Sequence, residues 1–257
     1  MFLFFVNMFI YLSVFFIGTI VGSFLNVIIW RTKNQTQKFS QRSECFFCHK
    51  QLSVKSLVPI WSFILQKGIS LCCNKKVPIQ YVYVEFVAGI SFLITYYVFG
   101  ISLFSFILFP SIATLILLGF YDVLYGELPH KWTLFVSVYI IITRIVLGQN
   151  LLPFVIAMVI GGVFFLVQIL VSKGKWVGGG DVGMGILIGA IVGWPVLLVS
   201  IFFSYIIGAV HVLILLLLKK IKMGQVIPFG GYLVAGTLIG IFYGREILDW
   251  YIKIANL

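Results

Sequence analysis

Charge is scarce in this sequence, and acidic charge is scarcest. Of 257 residues only 10% are charged, and just seven are Asp or Glu. A soluble domain of this length carries about 25% charged residues to cover its surface, so a large soluble fold is excluded. Histidine occurs three times, and no HExxH pattern is present, which leaves no open-site ligand set and no catalytic metal to expect. Internal repeats and low-complexity linkers are also missing. The stretch from Met1 to Trp30 has no positive n-region, and its apolar run exceeds a signal-peptide core. It is expected to be a retained anchor with its first residues outside the cytoplasm.

Apolar residues fill the space that charge leaves. They make up 61% of the chain, mean hydropathy is +1.15, and apolar runs of about 18 or more residues recur, as a bilayer core requires. Such a run in lipid must satisfy its own backbone hydrogen bonds, so helix is the only reasonable assignment. The expected fold is therefore an all-α membrane protein of about eight transmembrane helices with a small cytoplasmic insert after the first. The spans read as 3–29, 82–99, 102–121, 132–147, 152–171, 182–194, 196–218 and 228–247. This divides the chain into an anchor (1–30), a cysteine-containing insert (31–81) and a membrane domain (82–257).

Net charge is +11, and nine of the eighteen Lys and Arg residues lie between Arg31 and Lys76. Fifteen of the eighteen fall in segments assigned to the cytoplasm; only Arg144, Arg245 and Lys253 do not. That asymmetry is the positive-inside signal. The interleaved aromatics lie in spans instead of a basic groove, so a nucleic-acid partner is excluded and the lipid bilayer is the implied partner.

So few acids can be weighed singly. Glu44 lies in the insert, Glu127 in a short loop, and Glu246 and Asp249 near the external end of the last span. Asp122 and Asp181 differ from these because each stands where a cytoplasmic loop meets a span. Two spans intervene, which returns both carboxylates to one leaflet. Neighbouring carboxylates resist joint ionisation and share a proton. One then takes a proton from water while its protonated partner donates to a scissile carbonyl, the chemistry of aspartic proteases. Gly178, Gly179 and Gly180 precede Asp181 and permit close approach of an unwound substrate segment. On the residues alone other readings stay open. A lone interfacial Asp is commonly a helix cap, three glycines are commonly a loop, and intramembrane carboxylates also serve transporters and ion channels.

The same residues resemble those of the type IV prepilin leader peptidases, including the kind that serve competence pseudopili. Val21 to Arg31 (VGSFLNVIIWR) is similar to that family's first-span signature. Cys45-x-x-Cys48, the P-x-W-S-F stretch at Pro59 to Phe63, and Tyr81, Glu85 and Gly89 resemble its cytoplasmic domain. Asp122 with Pro129, Gly178-Gly179-Gly180-Asp181 as a GxGD motif, and Ile227-Pro228-Phe229-Gly230 complete the order. The resemblance implies a bacterial cytoplasmic-membrane aspartic endopeptidase, its site facing the cytoplasm, acting on prepilin or pseudopilin precursors after a glycine. It implies catalysis by Asp122 and Asp181. For many members it also implies N-methylation of the new terminus from S-adenosylmethionine, associated with Glu85 and Gly89. A methyltransferase whose peptidase site is only structural is the third reading.

Cys45, Cys48, Cys72 and Cys73 all lie in the insert, where cytoplasmic thiols stay reduced. Their spacing suggests a small structural zinc site stapling a segment too short for much core. The family pattern has a second CxxC; here Ser70 stands at its first position and Cys72 abuts Cys73. Adjacent thiolates reach one ion less easily; His49 is the substitute ligand to consider, and the alternative is a decayed site with packing holding the insert. His130 is expected to face solvent and His211 to be a hydrogen-bonded packing residue.

Overall fold

The computed structural model describes residues 2–34, 43–45, 47–48, 50–225 and 227–255, with the side chains of 2–5 and of residue 55 left aside. His49 lies outside the described residues. Among those described there is no strand, only two isolated bridges, Glu44 with Gln51 and Ile69 with Lys76.

Each of the eight expected spans holds a helix. They are α1 (Phe2–Lys33), α3 (Gln80–Phe99), α4 (Leu103–Tyr125), α5 (His130–Val146), α6 (Leu152–Ser172), α7 (Gly179–Val192), α8 (Val196–Leu217) and α9 (Gly230–Ala255). A short α2 (Trp61–Leu65) lies in the insert. By length and composition α3, α4, α6, α8 and most of α1 can cross a membrane, which makes this a multi-pass membrane protein. The others have evident reasons to fall short. At 14 residues α7 is about 21 Å long, against a hydrocarbon core of about 30 Å. α5 has 17 residues, and α9 carries Arg245, Glu246 and Asp249.

Two compact units divide the chain, Met1–Ser105 and Phe106–Leu257. In the first, α1 packs along α3, and the crossing is close because both helices present glycine. A Cβ on Gly18 would come within 2.8 Å of the Gly89 Cα, and one on Gly89 within 2.8 Å of the Thr19 side chain. In the second unit α6 packs on α7, α8 on α9, and α5 on α7. Lipid offers no hydrophobic drive between helices, so small residues that let backbones touch carry the association. Gly161 of α6 and Gly185 of α7 face each other so closely that a Cβ on either would overlap the other's carbonyl oxygen. Gly236 and Gly240 of α9 are held the same way against Ser204 and Ser200 of α8.

The helix ends depart from expectation where the site lies. α4 runs on to Tyr125, so Asp122 belongs to its last turn. α7 begins at Gly179, so Asp181 is its third residue and lies inside the first turn.

Candidate active site

Asp181 stands at the N-terminus of α7, where unpaired backbone N–H groups and the helix dipole favour negative charge. Its Oδ2 accepts the Gly178 N–H at 2.8 Å. That is half of a capping box, glycine having no side chain to return the other half. Gly178 is extended (φ −86°, ψ 160°), whereas Gly179 and Gly180 already belong to the helix. The glycine run is thus a helix start with one extended residue, and not an extended strip three residues long. Gly180 is needed for another reason: its Cβ would lie 2.6 Å from that of Leu128. The loop after Asp122 therefore lies directly on the first turn of α7.

Asp122 is held from the opposite direction. Its Oδ2 accepts the N–H of Gly230, the first residue of α9, at 2.6 Å. A Cβ there would stand 2.8 Å from that oxygen, so glycine is required for the backbone to reach the acid. Both carboxylates are 6% exposed, and each is fixed by a backbone N–H at a helix start. Asp122 is near enough for its charge to act on Asp181. Tyr205 also lies within the field of Asp181, and its ring leans on Phe229 with centroids 4.9 Å apart and planes tilted by 53°, next to the Gly230 that holds Asp122. Two acids 59 positions apart are thereby gathered at three helix ends of one unit. His130 is exposed, as expected, and His211 bonds through Nδ1 to the Tyr232 hydroxyl at 2.6 Å.

The first unit gathers the remaining motifs around Glu85. Its Oε2 accepts the Ile60 N–H at 2.7 Å, and its carboxylate is hydrogen-bonded to the Ser23 side chain. Asn26 Nδ2 donates to the Tyr81 carbonyl at 3.1 Å. Ile60 has φ 60° and ψ −53°, a conformation strained for a β-branched residue, and its N–H is the one Glu85 receives. Next to this lies a cavity of about 1170 Å³ lined by Ser23, Asn26, Arg31, Tyr81 and Glu85. Gly89 faces α1 and contributes close helix contact there.

The four thiols converge despite the broken spacing. All four Sγ atoms lie within 4.8 Å of one another, with Cys45 to Cys73 at 3.7 Å and Cys48 to Cys72 at 3.1 Å. Thiolates 2.3 Å from a tetrahedral zinc stand about 3.8 Å apart, so the donor set fits one ion. The adjacency of Cys72 and Cys73 is not the obstacle the spacing suggested, because each pairs with a different partner of Cys45-x-x-Cys48. Ser70 fills the vacant motif position and bonds to Cys45 at 3.4 Å and Cys72 at 3.1 Å. Burial pushes the Cys45 thiol up, but hydrogen bonds from Ser70 and the Phe47 and Cys48 backbone outweigh it and bring it down to about 6. At Cys72 the Ser70 hydroxyl favours the thiolate. The sulfurs of Cys48 and Cys45 act against it, and the thiol is pushed up to about 12.

One missed residue is Arg144, which charge distribution alone assigns to the external side. It is 1% exposed and reaches the far end of α7.

A multi-pass helical membrane protein with two buried acids in electrostatic reach of one another is the class that fold and site define. Residues 107–213 match the type IV leader peptidase family, and residues 16–99 match the bacterial peptidase A24 N-terminal domain. A prepilin leader peptidase/N-methyltransferase of Bacillus subtilis is 30% identical over 95% of this chain and 99% of its own length. Proteins of the same name from Stutzerimonas stutzeri (26%, over 94% and 93%) and Legionella pneumophila (27%, over 95% and 95%) are also similar. No solved structure matches the chain significantly. This chain belongs to the type IV leader peptidase family.

Proposed function

We propose that the chain cleaves leader peptides from prepilin or pseudopilin precursors at the cytoplasmic side of a bacterial inner membrane, with Asp122 and Asp181 as the catalytic pair. Family membership supports hydrolysis over transport. The observation that carries the residue assignment is the burial of both acids within each other's field. Such a pair holds one proton between two carboxylates. The ionised member takes a proton from water as that water attacks the scissile carbonyl, and the protonated member donates to the carbonyl oxygen. The Gly230 and Gly178 N–H groups hold Oδ2 of each acid. That orients the carboxylates without adding a competing charge.

Methyl transfer to the new N-terminus is a second proposed activity, supported by the relatives' names. The cavity beside Glu85 in the first unit is the candidate site for S-adenosylmethionine. Its acid and aromatic lining suits a cationic sulfonium carrying an adenosine. The four cysteines are proposed to bind structural zinc, with no catalytic metal.

Purified protein in detergent, mixed with a precursor peptide, is expected to release the leader. Asp122→Asn and Asp181→Asn should each reduce that rate by about 10³-fold or more while accumulating normally. Full activity in either variant removes that acid from the mechanism.

A further inference from the structure

α7 ends where a helix should not. Its last buried residues, Ala190 and Ile191, are 0% and 2% exposed, so the free carbonyls of its final turn meet no water. The Gly193 N–H satisfies Gly189 at 3.0 Å. The next two carbonyls are taken by one side chain: Arg144 of α5 donates from Nε to Ala190 at 3.2 Å and from Nη2 to Ile191 at 2.7 Å. Its Nη1 donates to Gln149 Oε1 at 2.6 Å, and its guanidinium lies 3.5 Å from the centre of the Phe154 ring. Buried and oriented from three sides, the cation sits on the negative end of the α7 dipole.

We propose that Arg144 is a positioning residue for the peptidase: by holding the buried end of α7 it sets how deep the helix sits, and so where Asp181 meets Asp122. This rests on the proteolytic reading above. The sides of α7 are packed as well, with Met184, Leu187 and Ile188 all 0% exposed. The helix meets α6 through Gly185 and Gly189, which touch Gly161 and Ala157 backbone to backbone. Side chains meet at that seam too, Ile186 against Gly162 and the Phe165 ring against Gly185. To that packing Arg144 adds directed hydrogen bonds to the carbonyls at one end of the helix, with Asp181 at the other. A slip of one residue along the axis is about 1.5 Å, and misplacement of about 1 Å at a reacting group costs about 10²-fold in rate.

The test is steady-state cleavage of a precursor peptide by the full chain in detergent, across pH, for wild type, Asp181→Asn, Arg144→Met, Arg144→Lys and Gln149→Leu. Arg144→Met is expected to lose about 30- to 100-fold in kcat with KM within about threefold, and Arg144→Lys to fall between it and wild type. The two limbs of the kcat–pH profile should draw together in Arg144→Met, because carboxylates moved apart couple less. A purely structural role would lower the thermal midpoint without changing that profile. Folded Arg144→Met with wild-type kcat and profile, or with its loss confined to KM, overturns the proposal. If Arg144→Met does not fold, Gln149→Leu decides. It loosens the guanidinium and should lose about three- to tenfold in kcat with the same narrowing; an unchanged Gln149→Leu overturns the proposal too. An active Asp181→Asn would instead sink the proteolytic reading itself.

Discussion

At the scale of single residues the site is a matter of which atoms may approach an acid. Gly230 brings its N–H to Asp122 from 108 positions away, and no other residue can do so without displacing the carboxylate. Gly230→Ala should therefore lower kcat by about 10- to 100-fold. Gly231→Ala, whose Cβ meets only the Val123 side chain at 3.2 Å, should stay within about threefold of wild type; comparing the two cleavage rates checks the claim. Asp122 and Asp181 were legible in the sequence because only seven acids exist and two of them sit at span boundaries. The importance of Gly230 was legible only as part of a family motif. Its partner is named by the fold, since a backbone N–H leaves no trace in residue identity. Arg144 was misleading for the same reason: its partners are carbonyls, which every residue possesses.

At the scale of elements, small-residue seams and the cysteine cluster take the place of a soluble core. Replacing Gly185 by Val drives a side chain into the Gly161 backbone. Relief requires parting α6 from α7, so the variant should lose several degrees of thermal midpoint and most activity together. In the insert the convergence of four thiols joins two isolated bridges and the Ile60–Glu85 hydrogen bond in holding the chain. Protein prepared without chelator should contain about one zinc per chain by elemental analysis. Cys48→Ser, or chelation, should open residues 43–78 to proteolysis while α6 and α7 stay protected. Less than about half an equivalent of metal in the wild type would mean that packing alone holds the insert. Helix existence was readable from hydropathy, but α4 and α7 both extend past their expected boundaries to include Asp122 and Asp181. Hydropathy marks where lipid begins and not where the hydrogen-bond ladder stops.

At the scale of the whole molecule, each compact unit carries its own constellation. Glu85 and the cavity belong to the first, Asp122 and Asp181 to the second. The two proposed activities should then separate. Glu85→Gln is expected to lose methyl transfer while leader release stays within about threefold of wild type. Asp122→Asn should methylate a pre-cleaved N-terminus normally. Mass spectrometry of the product terminus, with and without S-adenosylmethionine, distinguishes these outcomes; loss of both activities in Glu85→Gln would argue for one shared site.

The amino-acid sequence by itself determined that the chain lives in a membrane, that it is helical, which acids stand near an interface, and which family motifs occur in what order. Those properties follow from local quantities, namely hydropathy, charge placement and residue identity. Only the tertiary structure decided that Gly230 holds Asp122, that Ser23, Ile60 and Glu85 are partners, that four unevenly spaced thiols converge, and that a cation caps the buried end of α7. These are contacts between distant segments made largely through backbone atoms, and backbone atoms are the same at every position until a fold brings them together.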